Sequence, residues 1–179
     1  KMFNYLTKFS HAMTVMMERT SLTCSAIDKM LLGGRDADTK MIAARTTANL
    51  ALAEDKVVHD AIIDGGGLDV LSKGALLDGA KEASMQCIAA LFLCCREERF
   101  LALMGSIHVG DSMVQLSLNG VNQDETKNVL ISKIIATLAH DESSRRFLHT
   151  SATCAPNMLA LIKANTSVEC GRWLAQALC

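Results

Sequence analysis

Along Asp38–Asp55, DTKMIAARTTANLALAED, polar residues give way to a block of small and apolar ones, and an acidic pair closes the stretch. The same profile recurs at Ala80–Glu98 (AKEASMQCIAALFLCCREE) and Asp124–Glu142 (DETKNVLISKIIATLAHDE). A shortened copy, SVECGRWLAQALC, runs over Ser167–Cys179. Dense Ala, Leu, Met and Ile over this length predict long helices. After each of the first three come two shorter apolar segments: KVVHDAIIDGG then GLDVLSKGALL, RFLALMGSI then GDSMVQLSLNG, SRRFLHTSA then PNMLALIKA. Each of these predicts a short helix. Placing Leu50, Leu91, Leu138 and Leu178 in register gives steps of 41, 47 and 40 residues, with Phe92 as an alternative to Leu91. Steps of about 40–47 residues are those of helical solenoids with two or three helices per unit.

Gly65–Gly67 falls where one short helix should end and another begin. A phosphate-binding loop would need a strand before the glycines and a GK[ST] after them. Here a predicted helix precedes and LDVL follows, so the triplet reads as a corner whose backbone turns left-handed. Pro156 marks the matching corner of a later repeat, in the first turn of a helix where its missing N–H is harmless. Small residues on the long helices, Ala43, Ala44, Ala48 and Ala51 and then Ala83, Ala89 and Ala90, permit close helix–helix approach. Leu50, Leu91 and Leu138 are expected to fill the space between layers.

Composition sharpens this picture. Half of the 179 residues are hydrophobic but only 4% are aromatic, with one proline, and the class is all-α. The length supports one domain with a sizeable core. Eighteen basic and 19 acidic residues are interspersed, for a net charge of −1, which gives no nucleic-acid footprint. The longest uncharged apolar run, Cys87–Cys95, falls short of the roughly 20 residues a membrane span needs. Seven cysteines (Cys24, Cys87, Cys94, Cys95, Cys154, Cys170, Cys179) form no CxxC pair. They read as buried free thiols in a reducing, cytoplasmic setting. The five histidines, His11, His59, His108, His140 and His149, share no metal spacing. Neither a metal nor a cofactor is therefore expected. Without a GxSxG, HExxH or P-loop motif, no catalytic residue is assigned and the chain is not expected to be an enzyme.

Ala26–Leu71, AIDKMLLGGRDADTKMIAARTTANLALAEDKVVHDAIIDGGGLDVL, resembles a unit boundary of the armadillo repeat family. DKMLL resembles the end of that family's second helix, AARTTANLA its third, and VVHDAIIDGGG the first helix of the next unit. The resemblance is strongest from about residue 23 to 100 and looser beyond. HEAT-type solenoids are the nearest rival, and the short helix before a glycine corner favours armadillo. It implies a right-handed α-solenoid of about four units in a single domain over 1–179. These are a partial unit (1–32), units at 33–78, 79–122 and 123–166, and a truncated one at 167–179.

The family's peptide-binding members line a concave groove with Trp and, four residues on, Asn. By position Arg45 takes the Trp place and Asn49 matches the Asn. The next pairs read Gln86 and Ala90, Lys133 and Thr137, Trp173 and Ala177. This departs from the repeated Trp–Asn pairs of nuclear-import grooves. Arg45, Asn49, Gln86, Lys133, Thr137 and Trp173 are instead expected to bind an extended acidic or phosphorylated segment of a protein partner, through a neutral-to-basic column. The alternative for Arg45, Gln86 and Lys133 is an ordinary solvated helix face. The resemblance also implies polar caps at solenoid ends, whereas this sequence offers Met2, Phe3, Tyr5, Leu6 and Phe9 near its start and Trp173, Leu174 and Leu178 near its end. His11–Met17, HAMTVMM, reads as packing for an earlier neighbour. Flanking repeats or an end-to-end homo-oligomer should cover these ends. A regulatory, oligomerising or ligand-sensing module of a larger protein is the competing function.

Overall fold

The computed structural model describes residues 20–34, 36–51, 56–77, 80–119, 124–164 and 167–179. The expected surfaces at Met2–Phe9 and His11–Met17 lie outside them. Among the described residues the protein is all-helical: α1 (Thr20–Gly33), α2 (Ala37–Ala51), α3 (Lys56–Asp64), α4 (Gly67–Ala75), α5 (Lys81–Cys94), α6 (Glu98–Ser106), α7 (Val109–Asn119), α8 (Glu125–His140), α9 (Glu142–Thr150), α10 (Cys154–Ala164) and α11 (Val168–Leu178). The four long segments coincide with α2, α5, α8 and α11, and the short segments with the helix pairs between them. None of the described helices is long and apolar enough to cross a membrane.

Local chemistry sets several of the helix starts. Asp36 accepts from the Thr39 N–H at 2.7 Å before α2, Asp124 from the Lys127 N–H at 3.0 Å before α8, and Asp141 from the Ser144 N–H at 2.8 Å before α9. Each carboxylate satisfies a donor that the first helical turn leaves without a backbone partner. Pro156 sits in the first turn of α10, as its missing N–H requires. Gly66 turns the α3–α4 corner with φ 72°, in the left-handed region. The next corner, between α6 and α7, uses a left-handed histidine instead: His108 has φ 57°.

The chain forms two compact units, one ending at Cys94 and the other beginning at Cys95. In the first, α1 packs on α4 and α2 on α5. Gly74 makes this fit possible, because a Cβ there would stand 2.5 Å from Leu31 Cδ2 on α1 and 2.6 Å from Cys87 Sγ on α5. Ser84 of α5 donates its hydroxyl to the Ala75 carbonyl at 2.6 Å. The core holds Leu31, Ala44, Leu68, Leu71, Ile88 and Leu91, all with no measurable exposure.

In the second unit α6 packs on α9, α7 on α10 and α8 on α11. Within each unit, then, a helix meets the one three places further along. Phe100, Met104, Met113, Ile131, Ile134 and Ile135 fill this core. Leu50, Leu91 and Leu138 are buried as expected, and Leu91 rather than the half-buried Phe92 takes the interior position. Leu178 is 37% exposed at the last turn of α11. Leu174, expected at an open end, is instead fully buried together with Cys170 on one face of α11, which packs on α8 and α10. The burial follows from helical spacing: residues four apart share a face.

Candidate functional site

The strongest polar arrangement in the second unit joins α8 to α11. Lys133 stands two turns into α8 and Trp173 near the middle of α11, and packing of the two helices brings them together. The Lys133 ammonium lies 5.7 Å from the centroid of the Trp173 ring, within range of a cation–π attraction. Glu169, one turn before Trp173, completes the group. Its Oε1 lies 2.9 Å from Lys133 Nζ and accepts from the Trp173 indole N–H at 3.5 Å. One carboxylate oxygen therefore faces both an ammonium and an indole donor.

The electrostatics agree with this geometry. The hydrogen bond from Lys133 holds the Glu169 carboxyl below its ordinary value, helped by the Trp173 N–H, the Lys133 charge and, more weakly, the Arg172 charge. Lys133 keeps 28% of its side-chain surface exposed and Glu169 52%. The site is thus reachable from solvent while its cation rests on an aromatic face. Thr137, one turn after Lys133, donates its hydroxyl to the Lys133 carbonyl at 2.9 Å. That bond turns the hydroxyl back onto its own helix.

The remaining expected residues belong to the first unit. Arg45 is exposed on α2, while Asn49 on α2 and Gln86 on α5 are half-buried. Their two helices pack together. Asn49 has a polar partner of its own.

Glu169 is absent from the residues the sequence pattern selects, because reading one position per long helix for a basic column passes over acids. Its signal is the Glu169–Trp173 spacing of four, which places carboxylate and ring on one helical face.

A second polar cluster fastens α7 to the start of α10. Asp111 accepts from Ser151 Oγ at 2.6 Å and faces His108 Nδ1 at 3.6 Å. Ser151 Oγ in turn accepts from the Cys154 N–H at 3.3 Å. Burial, with the Asp111 charge and hydrogen bond, pushes the Cys154 thiol up to about 12. The Ser151 hydroxyl is bound to a carboxylate rather than to an imidazole, and Cys154 is held as a thiol. Neither is poised as a nucleophile; the cluster holds a corner together. Burial likewise pushes the Cys87 and Cys94 thiols up to about 12. Among the described residues no three His, Cys, Asp or Glu side chains gather as a metal site.

No family model matches the chain, and no curated protein or solved structure matches it.

Proposed function

We propose that this chain is an armadillo-like solenoid segment acting as a protein-interaction scaffold. On this reading it binds an extended acidic or phosphorylated segment through its long helices. Packing of α1 on α4 and α2 on α5 in the first unit, and of α6 on α9, α7 on α10 and α8 on α11 in the second, supports a three-helix repeat. The observation that carries the binding reading is the Glu169 carboxylate held between the Lys133 ammonium and the Trp173 N–H. A surface that already holds one carboxylate in this way has the chemistry to hold a partner's. Arg45, exposed on α2, is the corresponding cation of the first unit.

A random-peptide display selection on the wild type, counter-selected on an Arg45→Glu/Lys133→Glu variant, tests this. Enrichment of Asp- and Glu-rich sequences that the variant fails to bind is the expected result. Peptides retained equally by the variant, or no enrichment at all, overturn the groove.

A second reading, association through the face formed by α10 and α11, is favoured by a different observation. Leu159 of α10 is 49% exposed and Val168 of α11 87% exposed, and apolar side chains left open to solvent are available to meet a partner. Light scattering over a concentration series checks it. Growth of the mass with concentration, abolished by Leu159→Lys/Val168→Lys, is the outcome this reading requires.

A further inference from the structure

Glu169 occupies the site that an incoming anion would need. Its carboxylate takes the Lys133 ammonium at 2.9 Å and the Trp173 N–H at 3.5 Å, from the first turn of α11. An intramolecular competitor acts at an effective concentration on the order of millimolar or higher, so any partner anion must displace it. We infer that Glu169 is a resident place-holder that makes the Lys133–Trp173 site selective for a phosphorylated side chain over a plain carboxylate. The inference rests on the binding reading given above and specifies its ligand.

The selectivity follows from what is exchanged. A partner Glu or Asp replaces one carboxylate by another and so gains less at this site than a group of higher charge. A phosphate monoester carries about −1.5 to −2 charges and three acceptor oxygens at neutral pH. It can take the ammonium and the indole N–H together and still present an oxygen to solvent or to Arg172. The displaced Glu169 has a second cation within reach, because Arg172 lies three residues on along the same helix and already lowers the Glu169 carboxyl. Release therefore does not leave the carboxylate without a counter-charge. The site is open enough for the exchange, with both partners of the ion pair partly exposed.

Trp173 is the sole tryptophan of the chain, so its indole N–H gives one resonance that reports this site alone. The probes are N-acetyl-O-phosphoserine amide, N-acetylglutamic acid amide and inorganic phosphate, titrated at constant ionic strength and pH 7.5 into wild type, Glu169→Gln, Lys133→Met and Glu142→Gln. In the wild type the phosphoserine derivative is expected to shift the indole resonance saturably and the glutamate derivative to bind more weakly. Glu169→Gln should tighten phosphoserine about two- to fivefold, the range of an exposed ion pair, and narrow its advantage over glutamate. Lys133→Met should abolish the shift. Glu142→Gln removes another exposed, ion-paired acid elsewhere in the unit and should change nothing. Tightening by Glu142→Gln as large as by Glu169→Gln reduces the effect to net charge and overturns the place-holder. So does unchanged or weakened phosphoserine binding in Glu169→Gln. Inorganic phosphate binding as tightly as phosphoserine overturns the assignment to a phosphorylated side chain. The groove stands and the place-holder falls if display-selected acidic peptides need Lys133 but ignore Glu169. The place-holder stands and the groove falls if this site behaves as expected while display enriches nothing.

Discussion

The Ser144 hydroxyl donates to the Leu101 carbonyl at 2.6 Å, a buried bond between α9 and α6 across 43 positions of sequence. Gly105, one turn beyond Leu101, allows the approach, since a Cβ there would lie 2.8 Å from Ser144 Cα. Ser144→Ala should cost about 1 kcal/mol by loss of this bond. Gly105→Ala should cost roughly 1–3 kcal/mol, because backbone rather than a flexible side-chain tip must move. The two residues share one contact, so their effects should not add. Urea unfolding of both single variants and the double variant measures all three.

Glycine substitutions should change sign with position. Gly66→Ala places a Cβ on a left-handed backbone with φ 72° and should destabilise by about 1–2 kcal/mol. Gly171, inside α11, has nothing within 4 Å of the position its Cβ would take. Gly171→Ala should therefore stabilise by about 0.5–1 kcal/mol through helix propensity. Thermal melts of the pair should move in opposite directions; a fall for Gly171→Ala would contradict the open face seen there.

Acid should weaken the α8–α11 contact in a defined window. The folded value of Glu169 lies below its ordinary 4.5. Its contribution is thus complete above that ordinary value and is lost as pH falls through the lowered folded one. Asp36, held down by the Thr39 hydroxyl and N–H, shifts the same way. Asp141 does too, where burial raises the carboxyl but hydrogen bonds from Ser143 and Ser144 outweigh it. Carbon-detected NMR titration should give a Glu169 midpoint below 4.5, returning toward that ordinary value in Lys133→Met. A midpoint indifferent to Lys133 would mean the pair does not persist in solution.

The thiols should react in a set order. Cys179 is exposed, whereas Cys87, Cys94, Cys95, Cys154 and Cys170 are buried. Cys87, Cys94 and Cys154 are pushed up to about 12, so at pH 8 almost none of them is thiolate, the reactive form. Iodoacetamide at pH 8 followed by peptide mass mapping should find Cys179 modified well before those three, which react only after denaturant. Early modification of Cys154 would contradict its buried place at the start of α10.

Much of the helical layout is legible in the sequence because it is written locally. Small and apolar runs ending in acidic breaks locate α2, α5 and α8, and Asp141 shows why such a break works: it caps α9 directly after α8 ends. The Gly66 corner is legible from the glycine itself. The equivalent corner at His108 is not, since a histidine on left-handed backbone is held there by a local contact with Asp111 and a tertiary one, edge-on at 6.1 Å between ring centroids, with Phe147. The burial of Leu174 is not legible either, because it depends on how α11 packs on α8 and α10. Lys133 and Trp173 can be chosen by register. Their contact, and the carboxylate of Glu169 between them, arise only when two helices separated in sequence by α9 and α10 pack side by side.

The most direct measurement is Trp173 fluorescence during titration of a display-selected acidic peptide into wild type and Lys133→Glu. The expected result is a saturable change in the wild type, weakening with added salt. Lys133→Glu should bind at least about tenfold more weakly, equivalent to about 1.4 kcal/mol. Equal affinity in the two proteins would contradict the groove and move any binding surface away from the Lys133–Trp173 contact.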